Sequence, residues 1–329
     1  MGKKLFPVCI LFLALFVSCA TRRGAMVSPS PDELALNSAV GRVKQNSPEI
    51  EKYFILDENK DIIVKAEIQH DAKKPEHFEV IYDLRHPKAE GSGGFLIPFT
   101  VKSETGKTKQ DKLFWKPQED NSGLLLSFDD DYTEAWEQNF DLFDRYNARV
   151  TFFIQGEYTP FCNEALERGH DVGYHTLNHL NPLKISREEF LEESLSKVED
   201  FRSAGVPLES YAYPFGLSEE WMHEELLKSF KLLRGYGVTF RLYDSEQIRK
   251  GYIASKALDN ILFKKDEDFD ETVDLMFRTV KFIGRGLILP LTTHDISDAA
   301  DWGIKPHRLQ YLLQAAHDLQ LKFYRYCDF

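Results

Sequence analysis

From Ser122 to the C-terminus the chain alternates short strand-like runs with stretches of helical period, and this alternation restricts the fold more than any other feature. Leu124 to Phe128, Arg149 to Ile154, Asp171 to Tyr174, Tyr211 to Tyr213, Phe230 to Leu233, Leu287 to Leu291 and Leu321 to Tyr324 read as strands. Arg187 to Arg202, Ser218 to Leu227, Glu271 to Phe282 and Pro306 to Leu319 read as helices. Thr133 stands where it would cap a further helix carrying Trp136, Phe140 and Phe143 on one face. About seven β/α units in succession require parallel strands wrapped by helices, hence a barrel or a doubly wound sheet. In both, the carboxyl ends of the strands converge on one mouth, so polar residues at those ends are the ones to examine.

The preceding sequence has a different rhythm. Runs at Tyr53 to Leu56, Asp61 to Ile68, Phe78 to Tyr82 and Gly94 to Phe99, separated by turn-rich segments, predict a small β-rich domain over residues 46–120. Residues 19–45 read as a tether, because Ser, Pro, Gly and polar residues dominate from Thr21 to about Asp32. At the start, Lys3 and Lys4 precede an apolar run from Leu5 to Val17 that is too short to span a bilayer comfortably and has the layout of an export signal. Ser18 directly before Cys19 resembles the lipobox of bacterial lipoproteins, so residues 1–18 are expected to be a signal peptide and Cys19 the lipid-bearing residue. Phe16 stands where such boxes usually carry Leu, and cleavage near Ala20 or Ala25 is the alternative. Either route exports the protein; the first leaves it lipid-anchored to a membrane, in the periplasm or at the cell surface.

Composition narrows the partners. With 41 basic against 53 acidic residues the net charge is −12, and no Lys/Arg cluster interrupts the acidic balance. Nucleic acid and anionic bilayer surfaces both need a positive footprint and are excluded as partners on that ground, whereas a neutral substrate fits. Past the export signal only Cys162 and Cys327 remain, too few for a disulfide framework.

Three consecutive carboxylates, Asp129, Asp130 and Asp131, end the strand GLLLSF, where their mutual repulsion costs stability unless something positive lies there. One reading is an N-terminal cap on the following helix. The other is a cation, because His175 and His179 in GYHTLNHLNP are four apart at another strand end, and two imidazoles with one carboxylate make a common hydrolytic zinc site. Consecutive side chains of a tight loop point apart, so one Asp can bind the ion while its neighbour takes a proton from an activated water. His294 ends the apolar run Leu289 to Thr293 and suits a general acid for a poor leaving group. In Ser210 to Gly216, Pro214 and Gly216 shape a strand-end loop in which the backbone N–H of Tyr213 is a candidate oxyanion donor.

Taken together and in this order, the four segments resemble the polysaccharide deacetylase family, the NodB-homology enzymes of carbohydrate esterase family 4. Ser127 to Asp130 matches its T/S-F-D-D motif, His175 to His179 its H-[S/T]-x-x-H motif, Tyr211 to Gly216 its R-x-P-[Y/F]-G region and Leu291 to His294 its terminal motif. The resemblance spans about Gly123 to Phe329 and implies a distorted (β/α) barrel, here residues 121–329. It further implies that Asp130, His175 and His179 bind a divalent ion, most simply Zn2+. Asp129 would then be the general base, His294 the general acid, and Tyr213 with Pro214 the oxyanion and substrate contacts. The implied reaction is removal of N-acetyl groups from an N-acetylglucosamine-containing envelope or extracellular glycan, with no obligate protein partner. An O-acetyl esterase on the same fold and an inactive glycan-binding envelope lipoprotein are the rivals. Three departures stand out: Asp131 replaces a family Gly, Ala212 replaces the Arg that holds the base, and no D-x-x-D-W segment is present. Arg234 is a possible substitute for that Arg, and Asp244 or Asp259 a possible partner for His294.

Overall fold

The computed structural model describes residues 30–44, 49–56, 62–71, 74–85, 87–91 and 93–329. The export signal and Cys19 lie outside these residues. Where a tether is expected up to residue 45, Pro31–Lys44 forms a helix, α1. Ser30 starts it, its Oγ accepting from the Glu33 N–H at 3.3 Å. Leu36, Ala39, Val40 and Val43 then repeat at helical spacing and bury one face against Val80, Ile97, Phe99 and Val101. The Ser/Pro-rich composition ahead of this stretch masks its period.

The small domain is a six-stranded sheet: β1 (Glu49–Leu56), β2 (Ile62–Asp71), β3 (Lys74–Tyr82), β4 (Lys88–Glu90), β5 (Gly94–Ser103) and β6 (Thr108–Trp115). Its pairings are antiparallel, and β5 alternates buried Ile97, Phe99 and Val101 with less buried neighbours, the period expected of a strand covered on one face.

Seven parallel strands close a barrel: β7 (Gly123–Asp130), β8 (Thr151–Ile154), β9 (Asp171–Tyr174), β10 (Ser210–Ala212), β11 (Leu232–Tyr236), β12 (Tyr252–Ala257) and β13 (Ile288–Thr293). Closure comes from β13 against β7, in register from Ile288 with Gly123 to Thr293 with Phe128. The seven differ from the expected set. β12 has the sequence YIASKA, too polar to read as a buried strand, while the expected strand at Leu321 to Tyr324 is β16 (Lys322–Tyr324), which pairs with the first residues of β7 and lies outside the closed ring. Two short strands, β14 (Asp295–Ile296) and β15 (Gly303–Ile304), form a separate pair beyond β13.

The helices between strands are α2 (Thr133–Glu137), α3 (Phe140–Arg145), α4 (Phe161–Glu167), α5 (Arg187–Leu195), α6 (Val198–Ser203), α7 (Glu220–Leu226), α8 (Ser245–Ile248), α9 (Asp266–Ile283) and α10 (Pro306–Asp318). Arg187 to Arg202 is thus two helices rather than one. Leu124, Leu126 and Phe128 face the helices, whereas Leu125, Ser127 and Asp129 alternate with them, and Leu125 packs with Phe153, Ala212, Ile253 and Ile288 inside the ring. The small sheet docks on α9. Tyr82 and Trp115 meet Phe282 at 4.8 and 5.5 Å between ring centroids, and Arg278 donates to the carbonyls of Leu84 and Arg85. Cys162 and Cys327 are both free thiols. No helix among the described residues is long and apolar enough to cross a membrane.

Candidate active site

Asp130, the last residue of β7, adopts φ +84°, a left-handed conformation that Asp tolerates better than most side chains. The strained position is therefore Asp130 itself, not Asp131, which is exposed and outside the cluster. The cap reading fails as well: α2 is preceded by Tyr132 and has no side-chain cap, and Thr133 is its first residue.

His175 and His179 meet through a tight loop, not the helical turn their spacing suggests. Thr176 and His179 have φ of +70° and +54°, and Thr176 Oγ1 accepts from the His179 N–H at 3.0 Å. Glu193 of α5 pins this loop, accepting from the Asn178 backbone at 2.7 Å and from its side chain at 2.6 Å. His175 Nδ1–H donates to the Ala212 carbonyl at 2.8 Å, which leaves the Nε2 lone pair facing the site.

Asp130 Oδ1 lies 3.4 Å from His175 Nε2 and 3.6 Å from His179 Nε2, and one donor atom from each of the three residues falls within 4.8 Å of the others. Asp130 Oδ1 and His175 Nε2 are buried with no hydrogen-bond partner. Unsatisfied acceptors facing one another in a desolvated place are unfavourable unless a cation sits between them, so these residues fit a divalent ion, and two imidazoles with one carboxylate suit zinc. Burial shifts the His179 pKa down, which favours the neutral ring that can ligate.

Asp129 points into the barrel and is wholly buried. Arg234, also wholly buried, donates to its Oδ2, and Tyr236 donates to the same oxygen at 2.8 Å. Burial alone would raise the Asp129 pKa, yet Arg234 overrides it and, with His175, His294 and Tyr236, lowers it to about 2. The Arg missing at Ala212 is thus replaced from the adjacent strand. With Asp129 matched by Arg234, Asp130 is the carboxylate left without a counter-charge.

His294 follows β13, its carbonyl accepting from Trp136 Nε1 at 2.9 Å. Its Nδ1 donates to Asp259 Oδ1 at 2.9 Å, and its Nε2 lies 3.1 Å from the Tyr236 hydroxyl. Burial lowers the His294 pKa, but the Asp259 hydrogen bond and charge, with Asp129 and Asp130, raise it to about 9. Asp244 instead caps α8 through the Gln247 N–H, so Asp259 is the partner. The oxyanion expectation for Tyr213 fails: its N–H already donates to the Arg234 carbonyl at 3.0 Å. Pro214 opens the following turn, and Phe215 there has φ +57°. Trp136 is buried and Trp115 packs between the domains, whereas Trp302 is 57% and Phe215 52% exposed.

Arg234, Tyr236 and Asp259 are the site residues that strand assignment left unplaced. The β11 reading stops at Leu233, and β12, which positions Asp259, goes unread. The available signal was the alternation Leu232, Arg234, Tyr236, which puts all three on the inner face.

Residues 116–231 match the family model described as polysaccharide deacetylase. A peptidoglycan-N-acetylglucosamine deacetylase of Bacillus cereus is 30% identical over 86 residues, a match covering 25% of this chain and 40% of that protein. Among solved structures, peptidoglycan deacetylase PdaC of Bacillus subtilis is 16% identical over 63% of this chain and 89% of its own, with a TM-score of 0.46. The chitin deacetylase of Colletotrichum lindemuthianum is 14% identical over 64% and 88%, with a TM-score of 0.45. The match to the polysaccharide deacetylase model thus takes in the strand ends that carry Asp129, Asp130 and His175, and the loop that carries His179.

Proposed function

We propose that the protein is a divalent-metal-dependent deacetylase that hydrolyses N-acetyl groups of an N-acetylglucosamine-containing glycan outside the cytoplasm. The observation that supports this reading most is the convergence of Asp130, His175 and His179 within 4.8 Å, next to a buried carboxylate and a buried imidazole of opposite charge. When bound there, a divalent ion, zinc by the donor set, supplies a Lewis acid that acidifies water and polarises the acetyl carbonyl.

The chain's own groups do the rest. Asp129 is ionised at neutral pH and accepts the proton of the attacking water. His294, held as an imidazolium with Nδ1–H on Asp259, gives its Nε2 proton to the nitrogen as the C–N bond breaks, so the amine leaves neutral together with acetic acid, which loses its remaining proton to solvent as acetate. The Phe215 amide, which donates to no backbone carbonyl among the loop hydrogen bonds, takes the oxyanion role expected of Tyr213. A cationic acid suits an amide, whose leaving group is poor, more than an O-acetyl ester. The Phe215 ring lies 4.7 Å from that of His179, and the Trp302 ring 6.1 Å from that of His294, so exposed aromatic faces stand beside the site for sugar rings to stack on. Export and a lipid on Cys19 belong to the same proposal and rest on the Lys3-Lys4, apolar run and Ser18-Cys19 layout.

Incubating the zinc-loaded protein with short chitin and peptidoglycan fragments, with mass spectrometry for acetyl loss, tests the reading. Deacetylated products that disappear with Asp129→Asn support it. Intact N-acetylated fragments alongside hydrolysed O-acetylated ones would assign the site to esters instead.

A further inference from the structure

Asp129 and His294 are joined by a side chain outside every motif that identified the site. A carboxylate only accepts, so the Tyr236 O–H, 2.8 Å from Asp129 Oδ2, must donate to it. The tyrosine oxygen then offers only lone pairs to His294 Nε2 at 3.1 Å, and that nitrogen must carry a proton. Since Nδ1–H is committed to Asp259, the run Asp259, His294, Tyr236, Asp129, Arg234 has one consistent direction of donation from the histidine through the tyrosine to the carboxylate.

The backbone holds this hydroxyl in place. Tyr236 ends β11 on the same face as Arg234, whose guanidinium carbon lies 4.7 Å from the tyrosine ring centroid. Behind it, Gly216 packs so closely that a Cβ there would stand 2.5 Å from the Tyr236 backbone nitrogen. The turn carrying Phe215 and the strand carrying Tyr236 are therefore set against each other with no room for a side chain between them.

We infer that Tyr236 is a positioning residue, which fixes the base and the acid relative to each other through a single hydroxyl. This deepens the deacetylase reading and rests on it for its kinetic arm only. Its consequence is that β11 supplies both partners of Asp129 Oδ2, while Thr292 Oγ1 of β13 donates to Oδ1 at 3.4 Å: Arg234 matches the charge, and Tyr236 sets the direction in which Asp129 and His294 face.

The test is Tyr236→Phe, which removes one oxygen, with Tyr311→Phe on α10 as the control, both in the full chain loaded with zinc. Tyr236→Phe is expected to lower kcat about 10²-fold with KM and bound zinc unchanged, the loss typical of reacting groups displaced by about 1 Å. In proton NMR, the His294 Nε2–H resonance, assigned by its absence in His294→Gln, is expected to move upfield in Tyr236→Phe and to stay in place in Tyr311→Phe. An unmoved resonance, or wild-type kcat in Tyr236→Phe, overturns the assignment. A moved resonance in a protein that deacetylates nothing keeps Tyr236 as the link between the two residues and removes the deacetylase reading instead.

Discussion

Asp259 Oδ1 lies 2.9 Å from His294 Nδ1 and accepts as well from Thr293 Oγ1 at 3.0 Å, tying the loop after β12 to the end of β13. This contact favours the protonated form of His294. His294 is raised from 6.5 to about 9, first through Asp259 among the groups that oppose burial, so the rate of a reaction needing the imidazolium falls as pH rises through about 9. Asp259→Asn removes the charge and is expected to move that alkaline limb to lower pH, read from the pH profile of kcat/KM. The sign for stability is the same: a raised folded pKa contributes stability that is fully present below 6.5 and is lost as pH approaches 9.

Arg234→Met should destabilise the fold by about 3–5 kcal/mol, because it leaves the Asp129 charge buried with its main counter-charge gone. Arg234→Lys is expected to restore little, since an ammonium does not reproduce the stacking of the guanidinium plane on the Phe153 and Tyr236 rings. Denaturant titration measures both. A double variant that also carries Asp129→Asn should recover part of the loss, the signature of two directly coupled groups.

His170 offers a prediction remote from the site. It is buried against the rings of Phe140, Phe143 and Phe152, and burial, reinforced by Arg149, lowers its pKa from 6.5 to about 4. The unfolded chain then binds a proton the folded one refuses, so acidification from 6.5 towards 4 should cost about 2–3 kcal/mol at this residue alone. Stability against pH in His170→Gln, compared with wild type, should show a shallower acid decline.

Helix α1 is expected to come away from the small sheet when Val43, buried on its inner face, becomes Asp, since an unpaired carboxylate has no partner there. Hydrogen exchange over residues 31–44 should rise in Val43→Asp and stay protected in the wild type.

The candidate metal ligands were legible because Asp130 and His175 stand at strand ends, with His179 four residues on in the same loop, and β/α folds gather strand ends at one mouth. Of the supports, Arg234 and Asp259 were foreseen only as possible partners with no strand to place them, and Tyr236 was not foreseen. Tyr236 and Arg234 lie beyond a strand reading that stopped at Leu233, and Asp259 follows a strand whose Ser and Lys disguise it. The error at Tyr213 has a similar cause: whether a backbone N–H is free depends on the neighbouring strand, and Arg234 in β11 takes it up through its carbonyl. Helix α1 went unread since its period begins only after a stretch dominated by Ser and Pro.

The most direct test is metal content by mass spectrometry of the purified full chain after zinc addition and dialysis. The site proposed at Asp130, His175 and His179 predicts one tightly bound ion in wild type and in Asp129→Asn, and none in His175→Ala or His179→Ala. Wild-type protein that retains no zinc, or an Asp129→Asn variant that loses it as fully as His175→Ala does, would contradict it.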